Sequence, residues 1–207
     1  MMSAEPQDII DHLAGIAPGS SLDAIRARRL QARENAQKSY LALFEPADFG
    51  DVAAYERYAV AAFVTGVHQE PSVAAFYLKK LADRPELVAA LKAEIERGKT
   101  RGPYGAFPEG PLSVEDTTGL IYHVAADRKA VFSDKLAAGL EHAHLLVFRP
   151  RDARPAAMQA LLDTGWSTNA IITLSQLVAF LSFQVRSVVG LRTLGAALGQ
   201  GAAAKAS

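Results

Sequence analysis

The chain has 207 residues, of which 50% are hydrophobic, and its 22 basic side chains balance its 22 acidic ones. This composition excludes a disordered protein and argues against a nucleic-acid-binding protein, because neutralising phosphates requires an excess of positive charge. The chain contains no cysteine, which excludes disulfide bonds, thiolate metal sites, iron–sulfur clusters and cysteine nucleophiles.

Helical periodicity covers most of the chain and predicts an all-α fold. Alanine, the strongest helix former, is abundant, and no run of alternating β-branched residues indicates a strand. The predicted helices span residues 7–16, 22–43, 52–67, 71–82, 85–98, a stretch beginning near 114, 133–148, 155–163 and 168–198. Ser21, Ser113 and Ser167 are expected to cap three of them, because a serine hydroxyl accepts hydrogen bonds from the free amides of a first turn.

The chain is expected to form one domain, 1–207, with an N-terminal helical extension at 1–48 and a core at 50–195. A segment rich in glycine and proline near residues 98–112 interrupts the helices. A break of this length is either a lid or a connector between two halves of the bundle.

The final predicted helix raises the question of a membrane, because residues 171–191 are mostly apolar. Its polar residues, among them Gln176, Gln184 and Arg186, would be costly in lipid, which favours a buried helix of a soluble protein. Arg186 then needs a buried partner, either a structural ion pair or an anionic ligand. The N-terminus lacks the basic start and apolar run of a signal peptide, so we expect a cytoplasmic protein without membrane contact.

Glu56 is the first candidate for chemistry. On a helix over residues 52–67 its carboxylate lies on the same face as Val60, Phe63 and Val67. Burial favours the protonated form of a carboxylic acid, which makes Glu56 a candidate proton carrier. The alternative is that Glu56 lies in the first helical turn, where an acid complements the helix dipole and still contacts water.

His68 and Tyr77 are the second and third candidates. His68 lies where the 52–67 helix meets the next helix, whose amino-terminal end favours anions, and Tyr77 follows about two turns into that helix. If Glu56, His68 and Tyr77 converge, they supply an acid/base pair and a hydroxyl donor. A histidine at a helix junction is more often a capping or surface group, and this alternative stays open.

A further cluster, Glu141–His142–Ala143–His144, raises the question of a metal site. Glu141 and His144 share a helix face, as in the carboxylate-bridged metal sites of helix bundles, but a stable site needs three or four convergent ligands. His142 and His144 point about 200° apart around the helix axis and cannot hold one ion together. We therefore expect no metal and assign no role to His123. The absence of nucleotide- and flavin-binding motifs predicts no cofactor.

Two stretches of the sequence resemble one known family. The first runs from Glu56-Arg57 to Ala75-Phe76-Tyr77-Leu78-Lys79-Lys80-Leu81, and the second from Lys135-Leu136-Ala137-Ala138 through Asp163-Thr164-Gly165-Trp166-Ser167 to Leu191. Together they cover roughly residues 50–195 and are similar to AhpD-like proteins of the alkylhydroperoxidase/carboxymuconolactone decarboxylase superfamily. The resemblance implies an AhpD-like all-α helical bundle that assembles into homodimers, trimers or hexamers.

The thiol peroxidases of this family place a glutamate on one helix, followed by C-x-x-C and a histidine. The glutamate can be carried over to Glu56, whereas the cysteines fall at His68 and Pro71 or, with a shift of two residues, at Glu70 and Val73. Neither register provides a thiol, and peroxide reduction in this family needs a thiolate nucleophile and a resolving thiol. The resemblance therefore does not extend to thiol peroxidase activity.

The decarboxylase branch of the superfamily works by acid/base chemistry without cysteine. The resemblance thus implies an enzyme acting on a small carboxylate or lactone, with Glu56, His68 and Tyr77 as its catalytic residues. The alternative is a non-catalytic interaction subunit, a degenerate relative of the alkylhydroperoxidases, in which side chains such as Phe63, Phe76 and Tyr77 fill the pocket.

Overall fold

The computed structural model describes residues 8–206 of the chain, and the side chains of residues 8–199. Within residues 8–206 it contains nine α-helices and no β-strand, so the predicted all-α fold is confirmed. The helices are α1 (Ile9–Ala14), α2 (Ser21–Ala27), α3 (Leu30–Phe44), α4 (Ala54–Val67), α5 (Pro71–Lys79), α6 (Pro85–Gly98), α7 (Lys129–Phe148), α8 (Pro155–Asp163) and α9 (Thr168–Ala206).

The chain divides into two compact units. One unit is Ala47–Ser182, which carries α4 to α8 and the first part of α9, and the other consists of the residues up to Pro46 and those from Phe183 onward. The predicted extension at 1–48 falls mainly in the latter unit, whereas the predicted core at 50–195 is divided between the two.

Helix α4 forms the centre of the Ala47–Ser182 unit. Every residue from Ala59 to Val64 has 0% exposure, which requires neighbours on all sides of the helix. Helices α5, α6 and α7 pack against it. The nearly continuous apolar sequence of α4 follows from this surrounded position.

Several helix ends follow the signals in the sequence. Helices α5, α6 and α8 each begin with a proline, whose fixed φ and missing N–H suit the first position. Ser167 caps α9 as predicted, because its hydroxyl accepts a hydrogen bond from the Ala170 N–H at 3.1 Å. After α8, Gly165 has a φ of 93°, in the left-handed region that favours glycine and ends helices.

The predicted helix over residues 22–43 is two helices, α2 and α3, because Arg29 leaves the helical conformation. Its N-terminal cap is Ser20 rather than Ser21, and the Ser20 hydroxyl accepts from the Asp23 N–H at 3.2 Å. On an unbroken helix Arg26 and Arg33 would lie about 10 Å apart along the axis. The break allows both guanidinium groups to pair with the carboxylate of Asp11 on α1.

Helix α1 begins at Ile9, with Asp8 as its cap. The first residue predicted for this helix, Gln7, lies outside the described residues.

The prediction of a helix that begins near Val114, with Ser113 as its cap, is wrong. Residues Pro111–Glu115 form a short 3₁₀ helix, and the chain is then irregular as far as Ala125. Val114 is 89% exposed, so a helix here would have no apolar surface to pack against. From residue 121 exposed and buried positions alternate, as in an extended chain lying on a surface.

Arg186 was expected to be buried, but it is exposed on α9. The helix surface at this position is open to solvent, so Arg186 needs neither an ion-pair partner nor an anionic ligand. Within α9, the 32-residue segment Thr168–Gly199 is long and apolar enough to cross a membrane. Half of its most apolar 18-residue stretch is buried inside the protein. Core helices of soluble proteins have the same composition, and the expected lack of membrane contact stays a prediction.

Candidate functional site

Glu56 lies in the first turn of α4 and is 3% exposed. Its Oε2 accepts a hydrogen bond from the Ala53 N–H at 2.8 Å, and the Lys135 ammonium on α7 lies 2.9 Å from its Oε1. A buried carboxylate with a backbone amide and a cation as partners is electrostatically compensated. In this arrangement Glu56 cross-links the start of α4 to α7.

His68 and Tyr77 lie elsewhere in the same unit. His68 is the C-terminal cap of α4, with its Nε2 3.1 Å from the Ser182 hydroxyl, and Tyr77 is fully buried on α5. Since Glu56 and His68 are at opposite ends of α4, about 18 Å of helix separates them. The structure does not bring the three side chains together, and Glu56 and His68 cannot act on one bond. Their individual catalytic roles stay predictions.

A different group of polar side chains surrounds a cavity of about 450 Å³ in the Ala47–Ser182 unit. We call it the α7–α8 cavity, because those helices, the chain around residues 121–123 and the turn at residues 149–154 line it. Its polar lining is His123, Glu141, His142, His144, Arg149, Asp152 and Arg154. Its apolar lining includes Ile121, Ala138, Leu145, Ala157, Ala160 and Leu161. A concave, mostly apolar site with a few polar groups is typical of small-molecule binding.

His123 and Glu141 form a hydrogen-bonded pair at the open edge of this cavity, where the His123 side chain is 70% exposed. The Nδ1 atom of His123 lies 3.1 Å from Oε2 of Glu141, and Oε1 of Glu141 accepts from the Val124 N–H at 2.9 Å. The carboxylate requires the proton of a neutral imidazole to be on Nδ1, which leaves a lone pair on Nε2. The pair therefore has the arrangement of a general base held by a carboxylate.

His142 and His144 are both buried, at 4% and 1% exposure, and differ in their partners. The Nε2 of His144 donates to the Gly98 carbonyl at 2.9 Å, and its ring stacks on Tyr122. The Nε2 of His142 has no hydrogen-bond partner among the described residues. Burial lowers the pKa of both imidazoles, so both are neutral at neutral pH. His142 lines the cavity, and its Nε2 is a buried polar atom without a partner among the described residues.

The two arginines of the cavity are in different electrostatic states. The Arg149 guanidinium pairs with the Asp152 carboxylate at 2.6 Å and donates to the Gly119 carbonyl at 2.9 Å. Arg154 is exposed at the N-terminal cap of α8, where its carbonyl accepts a hydrogen bond from the Ala157 N–H at 2.9 Å. Its guanidinium group has no hydrogen bond or ion pair with any described residue. The positive charge of Arg154 is available to a ligand.

Glu94 on α6 fixes the wall of the cavity that carries His123. Its fully buried carboxylate accepts from the Tyr122 hydroxyl at 2.6 Å, Arg97 at 2.6 Å and Arg128 at 2.8 Å. Burial alone would raise the pKa of Glu94, but the hydrogen bonds from Tyr122 and Arg128 outweigh it, so that the pKa is lowered. Burial and the Glu94 carboxylate raise the pKa of Tyr122. The pair is an ionised carboxylate bound to a neutral phenol.

Local sequence patterns do not predict the main features of this site. The spacing of Glu141, His142 and His144 raises the question of metal ligands, but Glu141 binds His123 and His144 binds a backbone carbonyl. Among the described residues no group of three potential ligands is placed to hold a metal ion. His123 is 18 positions before Glu141 in an irregular segment, and no local spacing rule relates the two. The one sequence feature that indicated this region is the cluster Glu141–His142–Ala143–His144.

Comparison with protein-family models, with curated proteins and with solved structures finds no match for this chain. The resemblance to the AhpD-like proteins therefore stays a prediction. The observations define an all-α protein with a histidine–carboxylate pair at a partly apolar cavity.

Proposed function

We propose that the protein is an enzyme that performs acid/base chemistry on a small organic substrate in the α7–α8 cavity, without a thiol. The observation that carries this proposal is the 3.1 Å contact between His123 and Glu141 at the edge of the cavity. The carboxylate orients the imidazole and stabilises the imidazolium that forms when Nε2 takes up a proton.

The chemistry that suits this arrangement is removal of a proton from a carbon next to a carbonyl group. The proton moves from carbon to Nε2 of His123, and the electron pair of the broken C–H bond moves toward the carbonyl oxygen. We assign stabilisation of the negative charge that develops there to the neutral imidazole of His142, which lines the same cavity.

Exchange of substrate hydrogen for deuterium in heavy water tests the proposal without knowledge of the overall reaction. The protein is incubated with a panel of small ketones, lactones and oxo acids, and deuterium incorporation is followed by NMR and mass spectrometry. We expect catalysed exchange with at least one class and a loss of about 100-fold or more in His123→Asn, as for a general base.

Glu56→Gln is the matched control, because Glu56 is the carboxylate that the sequence favours and it lies outside the α7–α8 cavity. We expect Glu56→Gln to keep its exchange rate per folded molecule and Glu141→Gln to lose most of it. Exchange that survives in His123→Asn, or that disappears only in Glu56→Gln, contradicts the proposal.

The non-catalytic alternative is favoured by one observation. Of the three side chains that it expects to fill a pocket, Phe63 and Tyr77 have 0% exposure and belong to the core, whereas Phe76 is half-buried. This burial argues against a pocket only in the region of Glu56 and Tyr77. The polar groups around the α7–α8 cavity favour the enzyme, because a concave site with a histidine–carboxylate pair is typical of small-molecule binding and proton transfer.

A further inference from the structure

We infer that the substrate of the α7–α8 cavity is a monocarboxylate whose apolar body carries a carbonyl group, with its carboxylate bound by Arg154. This inference rests on the proposed function and narrows the substrate class, since the sequence left a carboxylate and a lactone open. It is carried by three features of the cavity: an unpaired cation, a buried histidine without a partner and an apolar wall.

The unpaired cation selects an anionic group. Arg149 is neutralised by Asp152 at 2.6 Å, whereas Arg154 has no ion pair with a described residue. Arg154 also lies at the N-terminal end of α8, where the helix dipole favours negative charge. A guanidinium group matches the geometry of a carboxylate, to which it can donate two parallel hydrogen bonds.

The buried histidine indicates that a ligand group reaches the cavity wall. His142 is 4% exposed, and its Nε2 has no partner among the described residues. A buried polar atom without a hydrogen bond is unfavourable in the empty site. Because His142 lines the cavity, the carbonyl oxygen of a bound substrate is proposed to accept a hydrogen bond from its imidazole ring.

The remaining lining limits the charge and polarity of the ligand. Leu145, Leu161 and the alanines of α8 form an apolar wall, which favours a hydrocarbon body. Glu141 supplies a negative charge at the same cavity. Because Asp152 neutralises Arg149, Arg154 is the one lining residue whose positive charge balances that of Glu141. A second carboxylate on the ligand would be repelled, so a monoanion fits the cavity better than a dianion.

Calorimetric titration with three matched six-carbon probes tests this inference. The probes are 5-oxohexanoate, its neutral amide 5-oxohexanamide, and the dianion adipate. We expect 5-oxohexanoate to bind about tenfold more tightly than the amide, because its bond to Arg154 is charge-assisted. Adipate is expected to bind more weakly than 5-oxohexanoate. In Arg154→Gln the advantage of 5-oxohexanoate over the amide should disappear.

Arg101→Gln is the matched control, because Arg101 is an exposed arginine of the same unit that does not line the cavity. It should bind all three probes like the wild type. Circular dichroism checks that both variants are folded. We expect both to fold, because Arg154 and Arg101 are exposed and their replacement leaves the core unchanged.

Histidine NMR signals separate failure of this inference from failure of the proposed function. If the amide binds as tightly as the acid and shifts the His123 and His142 signals, the cavity is a substrate site but the carboxylate assignment is wrong. The same conclusion follows if Arg154→Gln binds 5-oxohexanoate like the wild type. If no probe shifts either signal, the inference and the use of this cavity as the active site both fail.

Discussion

Three buried polar side chains of the Ala47–Ser182 unit differ in how their charges and hydrogen bonds are satisfied. Glu56 has an amide and an ammonium as partners, and Glu94 has a phenol and two guanidinium groups. His142 is buried to a similar extent but leaves Nε2 unused. Satisfied groups of this kind stabilise the fold, whereas the unused Nε2 of His142 is a buried polar atom whose desolvation no hydrogen bond offsets.

Removal of the Tyr122 hydroxyl tests the role of Glu94 in fixing the cavity wall. Tyr122→Phe deletes a 2.6 Å hydrogen bond to a buried carboxylate, so we expect a loss of about 1.5–3 kcal/mol in the free energy of unfolding. Urea unfolding followed by tryptophan fluorescence measures it, because the single tryptophan, Trp166, is buried in the same unit.

Tyr55→Phe is the control for this experiment. The Tyr55 ring contacts the Arg84 guanidinium, a contact that phenylalanine retains, and a change below about 0.5 kcal/mol is expected. An equal loss of stability in both variants would show that the Tyr122–Glu94 hydrogen bond contributes no more to the free energy of unfolding than the Tyr55 hydroxyl does.

At the scale of the helices, close packing depends on residues without side chains. A Cβ atom added to Gly66 on α4 would lie 2.7 Å from Ile95 of α6. This is closer than van der Waals contact allows, and Ile95 is itself buried. The small residue at position 66 therefore sets the approach of α6 to the central helix.

Gly66→Ala should destabilise the protein by about 1–3 kcal/mol, because it overpacks the α4–α6 contact. Gly190→Ala on α9 is the matched control, since a Cβ atom there meets nothing within 4 Å. It should stabilise the protein by about 0.5–1 kcal/mol through helix propensity alone. Thermal unfolding followed by circular dichroism measures both, and shifts of the same sign would contradict the packing argument.

Between α6 and α7 the helical interpretation of the sequence fails for a tertiary reason. The segment around residues 116–125 is held by side chains far along the chain: Tyr122 by Glu94, and Val124 by Glu141. Local sequence contains no information about these partners. By contrast, the predicted helix start after Ser133 corresponds to a break in α7, where Ser133 has a φ of 64°.

At the scale of the whole molecule, buried ionisable groups make the stability of the Ala47–Ser182 unit dependent on pH. Burial lowers the pKa of His142 and His144 below 6.5, so below that pH the unfolded chain binds more protons than the native one. The lowered pKa of Glu94 has the same effect below 4.5. Acid therefore favours unfolding in both ranges.

Urea midpoints measured with Trp166 fluorescence should be steady from pH 8 to 7 and should fall as the pH drops below about 6.5. His142→Leu should reduce this fall, because it removes one titrating group and its unsatisfied Nε2. The same pH dependence in the variant and the wild type would show that His142 does not contribute.

Other properties of the whole molecule remain predictions. These are the cytoplasmic location, the lack of contact with membranes and nucleic acids, and the assembly of identical subunits. The sequence contains no cysteine, so we expect no turnover in a peroxidase assay with thiol reductants, because the thiolate nucleophile of that reaction is missing.

The sequence by itself determined the all-α fold, most helix boundaries and the exclusion of cysteine-based chemistry. These properties depend on composition, on helical periodicity and on capping residues such as Ser167, all of which act within a few positions of the chain. Tertiary structure alone decided which polar groups meet. It placed Glu56 and His68 at opposite ends of one helix, and it brought His123 to Glu141 across an irregular segment. Contacts between distant residues depend on how helices pack, and no local pattern encodes them.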